Sequence, residues 1–325
     1  MENFIHWWQY LPSKMDPTIF TVGNFPIRWY GMMYIVAFTV TYLMANYRIK
    51  SEKLHYTTEF LSNSITWAVL GLMIGARVGY VLFYNFDWFL SNPLSIILPF
   101  ARVNGSWQFT GISGMSYHGG AIGVAVAWLI FSRKEKIRVF KLTDLIIPGV
   151  PLAFTFGRLG NFINGELYGR VTDAAIGMYF PAARDGLLRH PSQLYEAFFE
   201  GIVLFVILWP LRKFKPFPGF ISGLYVFGYG FFRFFIEYFR EPDEQLGFVF
   251  LNFSMGQILC FAMMIGASII WYIGKKIQKL EPQKTQRNTL GLNNGELSPD
   301  ISIAFYCGFH SKIMFNCLEP QSIVR

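Results

Sequence analysis

Apolar stretches of about 20 residues recur along this chain and are separated by short polar segments. An α-helix needs about that many apolar residues to cross a hydrocarbon core roughly 30 Å thick. The runs from Trp29 to Tyr47 and from Ile258 to Ile273 lack the polar face that an amphipathic helix of a soluble protein carries. The sequence therefore predicts an all-α integral membrane protein.

The composition agrees with a lipid environment. Charged residues make up 15% of the 325 residues, against about 25% in soluble domains. The net charge of +8 is spread over short clusters between apolar runs, which fits cytoplasmic loops better than a footprint for nucleic-acid phosphates. We therefore expect no nucleic-acid partner. Cys260, Cys307 and Cys317 offer neither a disulfide framework nor the paired spacing of a metal site.

The pattern predicts about seven transmembrane helices, each bounded by charged residues, Gly or Pro. The candidate spans are residues 27–47, 60–84, 115–132, 143–163, 193–211, 218–239 and 255–273. The third contains the shortest continuous apolar stretch, from Gly119 to Phe131. Beyond Leu280 the composition turns polar, so we predict a membrane domain at 1–280 and a flexible tail of unknown role at 281–325.

Basic residues follow the first, third, fifth and seventh spans. They are Arg48, Lys50 and Lys53; Arg133, Lys134, Lys136, Arg138 and Lys141; Arg212, Lys213 and Lys215; and Lys275, Lys276 and Lys279. Because cytoplasmic loops carry an excess of Lys and Arg, we expect the N-terminus outside and the C-terminus in the cytoplasm.

Three glycines recur every fourth residue on the second span, at Gly71, Gly75 and Gly79. This spacing places them on one helical face. Small residues on one face allow two membrane helices to approach closely, so we expect a packing role here.

Ionisable residues inside or beside the predicted spans gather toward the outer half. They are Arg77, His118, Arg158, Glu166, Glu196, Glu200, Arg233 and Glu237, with Asp144 at the cytoplasmic edge as the exception. A charge within a bilayer costs at least a few kcal/mol, so such residues usually face a cavity, pair with one another and mark function. Arg233 and Glu237 have the i,i+4 spacing of an ion pair.

The outer cations are nearly all arginines, whereas lysines other than Lys14 lie in the predicted cytoplasmic loops and tail. A planar guanidinium binds phosphate through two parallel hydrogen bonds and tolerates partial burial better than an ammonium group. This selection favours a phosphate site near the outer interface. For any single arginine, snorkelling or pairing with a carboxylate is an equally good explanation.

Two segments near the outer interface are rich in glycine and polar residues. The run from Gly157 to Glu166 follows an apolar helix, and we expect it to bend and to expose backbone donors. His118 precedes Gly119 and Gly120 at the predicted membrane edge. A lone histidine is often structural, but at the depth of several arginines it is also a candidate general base or phosphate ligand.

Several long motifs together resemble the phosphatidylglycerol:prolipoprotein diacylglyceryl transferase family. They are Met115 to Gly120, Gly157 to Glu166, Arg189 to Glu196, and Gly228-Tyr229-Gly230 followed by Arg233, Glu237 and Arg240, with Trp29 to Gly31 and Ser254 to Gln257 in the same pattern. The likeness covers about residues 15–275, and the tail departs from the family.

The resemblance implies a bacterial inner-membrane enzyme with its active site toward the periplasm. It would transfer the diacylglyceryl group of phosphatidylglycerol to the lipobox cysteine of a prolipoprotein signal peptide, with no metal and no cofactor. By matched positions, the expected catalytic residues are Arg158, Arg233, His118 and Tyr229. The expected substrate-binding residues are the same two arginines with Tyr30, Asn161, Glu166, Gly169 and Glu237.

Two other classes of protein would explain part of the pattern. A secondary transporter for an anionic solute would also place arginines and broken helices in a membrane cavity, but at the midplane and with repeated halves. We find no internal repeat. A structural membrane scaffold would account for the spans and leave the outer arginines unexplained.

Overall fold

A computed structural model describes residues 2–23, 25–84, 86–91, 100–103, 106–109, 116–241, 248–250 and 253–289. The helices are α1 (Glu2–Gln9), α2 (Trp29–Ser51), α3 (Thr58–Tyr84), α4 (Phe86–Ser91), α5 (Tyr117–Lys134), α6 (Val139–Ile146), α7 (Val150–Ile163), α8 (Ser192–Glu196), α9 (Leu204–Leu211), α10 (Phe220–Ile236) and α11 (Met255–Thr289). A 3-10 turn, Ile147–Gly149, joins α6 to α7, and a π-helical segment, Ala197–Val203, joins α8 to α9.

Among the described residues, four helical stretches are long and apolar enough to cross a membrane. They are Thr58–Leu82, Val139–Ile163, Ser192–Leu211 and Met255–Leu280, and α10 is apolar but shorter. Helices also occupy the other predicted spans, as α2, α5 and α10. The protein is therefore a mostly helical membrane protein.

The expectation of an all-α chain is wrong in its connecting segments. The described residues form antiparallel hairpins: β1 (Thr18–Val22) with β2 (Phe25–Arg28), β3 (Phe100–Val103) with β4 (Ser106–Phe109), β5 (Met178–Tyr179) with β6 (Leu188–Arg189), and β7 (Phe248–Phe250) with β8 (Phe253–Ser254). The sequence of the β1–β2 hairpin explains why strands form there. Its β-branched and aromatic residues favour strands, and Gly23 adopts φ +60° at the turn.

The close helix approach predicted from Gly71, Gly75 and Gly79 is confirmed. All three face α5, where a Cβ at Gly71 would lie 2.5 Å from the Gly123 carbonyl oxygen and one at Gly79 would lie 2.7 Å from the Gly119 Cα. The two helix backbones are thus nearly in contact. This crossing positions the first turn of α5, where His118 lies.

The chain divides into two units, residues 1–278 and 279–325. In the first, α2, α3, α5 and α6 bury an apolar cluster containing Ile49, Leu61, Phe131 and Leu142. In the second, the described residues continue α11 as far as Thr289. The predicted flexible tail therefore begins in a helix, and the rest of it, from 290 onward, lies outside the described residues.

A network of charges ties several helices together at one end of the first unit. Arg48 is completely buried, and its Nη1 donates to the carbonyl oxygens of Asp144 and Leu145, each at 2.6 Å. Its Nε lies 3.0 Å from Glu52, which also pairs with Arg212 at 3.2 Å. Burial opposes the charge of the Glu52 carboxyl, but the hydrogen bond and charge of Arg48 hold its pKa below the usual value.

Basic residues after the first and fifth predicted spans therefore meet at the same end of the bundle, beside the start of α6. On a helix that rises about 1.5 Å per residue, Arg48 and Tyr30 lie roughly 27 Å apart, close to the thickness of a hydrocarbon core. The polar residues near Tyr30 form a separate cluster at the opposite end.

Candidate active site

Charged side chains from α7, from α10 and from the turn after α10 converge on a single carboxylate of α8, that of Glu196. It is completely buried, and its Oε2 lies 2.7 Å from Arg158 Nε. Its Oε1 accepts a short hydrogen bond from Arg233 Nη1 and lies 3.4 Å from Arg240 Nη1. Glu196 therefore sets the spacing between the two arginines that the sequence predicts to be catalytic.

Arg233 has two further carboxylate partners. Its Nη2 lies 3.3 Å from Glu237 Oε2, which confirms the i,i+4 pair predicted from the sequence. Its Nη1 lies 3.8 Å from Glu200 Oε1. The ion pairs thus join three guanidinium groups, of Arg158, Arg233 and Arg240, to three carboxylates. We call these residues the arginine cluster.

A polar relay leads from Arg158 toward the start of α2. Arg158 Nη1 donates to Asn161 Oδ1 at 3.2 Å, and Asn161 Nδ2 donates to Glu166 Oε1 at 2.8 Å. The hydroxyl of Tyr30 is a neighbour of Asn161 and lies 3.0 Å from the hydroxyl of Tyr34. Four of the predicted site residues are therefore connected side chain to side chain.

The expected bend over the whole Gly157 to Glu166 run is wrong for its first part, because α7 continues through Ile163. The chain leaves the helix at Gly165, with φ +68°, and Leu167, with φ +59°. Of the two glycines inside the helix, Gly160 serves packing, since a Cβ there would lie 3.2 Å from the Cβ of Met33 on α2. Close packing on α2 explains why the helix persists there.

The turn after α7 is held by the first residues of α8. Ser192 Oγ donates to the Leu167 carbonyl oxygen at 2.9 Å, and Gln193 Nε2 donates to that of Glu166 at 2.6 Å. A positive φ is unfavourable for leucine, so these two hydrogen bonds compensate for local strain. They place the Glu166 side chain beside Asn161.

Gly169 lies where three segments meet. Its N–H donates to the His190 carbonyl oxygen at 2.8 Å, and it forms a β-bridge with Arg240. A Cβ at this position would collide with the carbonyl oxygens of Phe239 and His190. The contacts give Gly169 a role in positioning the segment that carries Arg240, and its predicted role in substrate binding stays a prediction.

Arg189 stabilises the same meeting point of segments around Gly169. Its guanidinium lies 2.6 Å from Asp185 and 2.9 Å from Glu241, donates to the Gly169 carbonyl oxygen at 3.2 Å, and lies over the Tyr168 ring. The hydrogen bond from Arg189 lowers the pKa of the exposed Asp185 carboxyl.

Tyr229 and His118 were both predicted to take part in catalysis. Tyr229 is buried, packs edge-on against Phe154 and interacts electrostatically with Arg158 and Arg233. It therefore lies beside the arginine cluster. His118 occupies the first turn of α5, but its side chain lies outside the described residues.

The sequence did not single out three residues that complete the cluster. Glu196 was one acidic residue among several, and nothing in its spacing predicted that three arginines would share it. Ser254 Oγ donates to Glu237 Oε1 at 3.1 Å, and the Ser254 N–H donates to Gln257 Oε1 at 3.0 Å. The resemblance at Ser254 to Gln257 was the signal that could have placed them here.

Chemically, the arrangement offers guanidinium groups to an anion at the end of an apolar bundle. Within the described part of the chain, no three His, Cys, Asp or Glu side chains are grouped as metal ligands. Residues 17–273 match the family model described as prolipoprotein diacylglyceryl transferase. The chain belongs to this family.

Curated relatives are similar to this chain across most of their length. A phosphatidylglycerol–prolipoprotein diacylglyceryl transferase of Chlorobaculum tepidum is 62% identical over 269 residues, which cover 83% of this chain and 93% of that protein. Proteins of the same name from Treponema denticola and Pseudoalteromonas atlantica are 42% and 47% identical, over 84% and 80% of this chain and 96% and 90% of their own lengths. The family match includes the whole arginine cluster and ends before the tail.

Proposed function

We propose that this protein transfers the diacylglyceryl group of phosphatidylglycerol to the lipobox cysteine of a prolipoprotein signal peptide, the first step of bacterial lipoprotein maturation. The observation that carries the proposal is the convergence of Arg158 and Arg233 on Glu196 within a chain of this family. The proposed partners are the anionic lipid and the signal peptide.

In this mechanism Arg158 and Arg233 hold the lipid phosphate. Both guanidinium side chains are only 12% and 14% exposed, so water competes weakly for their hydrogen bonds. The phosphate gains charge as it departs, and donors placed where that charge develops lower the barrier. Glu196 and Glu237 keep the guanidinium groups of these two arginines oriented.

The transfer forms one bond and breaks another. The cysteine sulfur attacks the terminal glycerol carbon of the diacylglyceryl group, a C–S thioether forms, and the C–O bond to phosphate breaks. Glycerol phosphate leaves with the electron pair. The thiol proton must be removed, because the thiolate is the nucleophile. His118, or alternatively Tyr229, takes that proton.

We further propose that substrate binding extends along the relay to Tyr30, Asn161 and Glu166. Asn161 connects Arg158 to Glu166, so a headgroup held by Arg158 lies within reach of both polar side chains. Gly169 and Glu237 contribute by holding Arg240 and Arg233 in place.

The proposed topology has seven membrane crossings, with the N-terminus outside and the C-terminus in the cytoplasm of the bacterium. Basic residues at 48 and 212 meet at one end of the bundle, and the arginine cluster lies at the other. Since Lys and Arg are enriched on the cytoplasmic side, the active site would face the periplasm at the inner membrane.

Reconstitution tests the proposed reaction. Purified protein in vesicles containing phosphatidylglycerol should add a thioether-linked diacylglyceryl group to a lipobox peptide, seen as a mass increase. A peptide with serine in place of the lipobox cysteine is the matched control and should not react. The same adduct from phosphatidylcholine vesicles would contradict the proposal, and so would the absence of an adduct with both lipids. An anion transporter or a scaffold would give no adduct.

A further inference from the structure

Glu200 is a completely buried carboxylate without a hydrogen-bond donor. It is 0% exposed, and within the described residues neither of its oxygens has a hydrogen-bond partner. Its Oε1 approaches Arg233 Nη1 to 3.8 Å, the same nitrogen that donates to Glu196. A buried carboxylate lacking donors is costly, so its presence needs a physical explanation.

The backbone around Glu200 is built in an unusual way. Residues 197–203 form a π-helical segment, a geometry that is rare and frequent at functional sites. Thr155 on α7 supports it, because its hydroxyl donates to the Ala197 carbonyl oxygen at 3.2 Å. Gly201 faces the same threonine, and any Cβ at Gly201 would collide with it. Glu196 and Glu200, four residues apart, lie on the same side of this part of the chain, and both approach Arg233 Nη1.

Charge balance gives Glu200 a role. Without substrate, the three guanidinium groups of the arginine cluster are matched by three carboxylates. A phosphodiester anion held by Arg158 and Arg233 adds a fourth negative charge. An unbalanced charge in a buried site is strongly disfavoured, so one acidic group must become neutral.

Glu200 is the carboxylate with the fewest interactions to lose. Glu196 contacts three arginines, and Glu237 accepts a hydrogen bond from Ser254. The titratable and charged groups around the Glu200–Arg233 pair are Arg158 on α7, Glu196 on α8, Tyr229, Arg233 and Glu237 from α10 and the turn after it, Arg240 beyond that turn, and Cys260 on α11.

We propose that Glu200 is a positioning residue that takes up one proton from solvent when the lipid phosphate binds, which frees Arg233 to turn from carboxylate to phosphate. The proton converts the carboxylate to a neutral carboxyl group and keeps the cluster balanced. This inference rests on the proposed binding of phosphatidylglycerol by Arg158 and Arg233. It makes lipid binding weaken as the pH rises, by up to about tenfold per pH unit.

Calorimetry counts this proton directly. Phosphatidylglycerol in micelles of an uncharged detergent is titrated into the full-length protein without peptide, in two buffers with different ionisation enthalpies. In alkaline buffer, where Glu200 is ionised before lipid binds, proton uptake by the parent protein should be close to one per lipid bound. It should fall close to zero in Glu200→Gln, an isosteric side chain that cannot titrate. Glu135→Gln makes the same change at an exposed residue outside the arginine cluster, and as the control it should retain an uptake close to one.

Uptake near zero in the parent protein, or equal uptake in the parent and Glu200→Gln, would overturn the inference. If Glu200→Gln cannot be purified folded, the parent and His118→Asn decide: one proton in both supports Glu200, and loss of the proton in His118→Asn assigns it to the histidine instead. Failure of the proposed function would give a different result in the same titration. Arg233→Lys would then bind phosphatidylglycerol as tightly as the parent protein does.

Discussion

Arg233 takes part in three of the five ion pairs of the arginine cluster, as many as Glu196 does. The planar shape of its side chain matters as well as its charge. The guanidinium reaches Glu196, Glu200 and Glu237 at once. Lysine would keep the charge and lose the planar fork. We therefore expect Arg233→Lys to lower the rate of thioether formation by about 100-fold or more.

Arg28→Lys is the matched control, because Arg28 is an exposed cation at the start of α2 with no ion pair to the cluster among the contacts of the described residues. Its rate should stay close to that of the parent. A parental rate in Arg233→Lys, measured with phosphatidylglycerol at saturation, would show that the fork is not needed.

His190, whose carbonyl oxygen accepts the hydrogen bond from the Gly169 N–H, makes the stability of the folded protein depend on pH. Its ring packs on Phe239 and lies 3.1 Å from the Tyr195 hydroxyl, and burial lowers its pKa from the usual 6.5. The folded state then binds fewer protons than the unfolded state just below that value. Stability is therefore fully present above about pH 6.5 and is lost as the pH falls through the lowered pKa.

The measurement for His190 is the thermal unfolding midpoint in detergent at pH 7.5 and pH 5.5. The midpoint should fall on acidification, and His190→Gln should show a smaller fall because its side chain does not titrate. An equal fall in both proteins would mean that other groups cause the pH dependence.

At the scale of elements, the crossing of α3 and α5 depends on glycine at both helices. A Cβ at Gly75 would collide with the Gly119 carbonyl oxygen and lie 2.6 Å from the Gly123 Cα. Both obstacles are backbone and cannot move aside as a side chain can. Gly75→Ala should therefore destabilise the protein by about 1–3 kcal/mol, as overpacked sites do.

Gly266→Ala on α11 is the control for that substitution, because nothing lies within 4 Å of the Cβ it would add. It removes a helical glycine without a steric cost and should leave the thermal midpoint unchanged or slightly raised. If the two variants unfold at the same temperature, the close approach of α3 and α5 contributes little to stability.

At the scale of the whole molecule, the proposed orientation assigns each loop to one side of the membrane. Ala175, after α7, and Glu135, after α5, are both exposed. In a background with Cys307 and Cys317 replaced by serine, Ala175→Cys should react with a membrane-impermeant maleimide in spheroplasts. Glu135→Cys should react only after lysis, and the reverse result would invert the topology.

The tail allows a second test at this scale. The family match ends at residue 273, whereas α11 continues to Thr289. A chain that ends after Thr289 keeps every described helix and the whole arginine cluster. We expect its transfer rate to stay within about twofold of the full chain, because segments beyond a domain tolerate truncation. A much lower rate would assign the tail a role in catalysis.

Several features were determined by local pattern alone. The apolar runs placed helices at all seven predicted stretches, because hydrophobicity and helical period depend only on neighbouring residues. The glycines at 71, 75 and 79 predicted the close crossing, and the spacing of Arg233 and Glu237 predicted their ion pair. The motifs identified the family, which the comparisons confirmed.

Tertiary structure decided which side chains meet. Arg158 and Glu196 come from different helices, so no spacing along the chain encodes their 2.7 Å contact. The continuation of α7 through Gly160 depends on packing against α2, which overrides the low helix propensity of glycine. The short hairpins also escaped prediction, because a few residues carry too little periodicity to distinguish a strand from a loop.

The sequence by itself therefore determined that the protein lies in a membrane, where its long apolar helices fall, and the family to which it belongs. Each of these follows from residue type and order. Only the three-dimensional arrangement showed that one buried carboxylate, Glu196, pairs with both Arg158 and Arg233. It also showed that Glu200 lies beside them with no hydrogen-bond donor among the described residues. A charged side chain within a bilayer is stabilised by the groups that it pairs with, and the packing of the helices decides which groups those are.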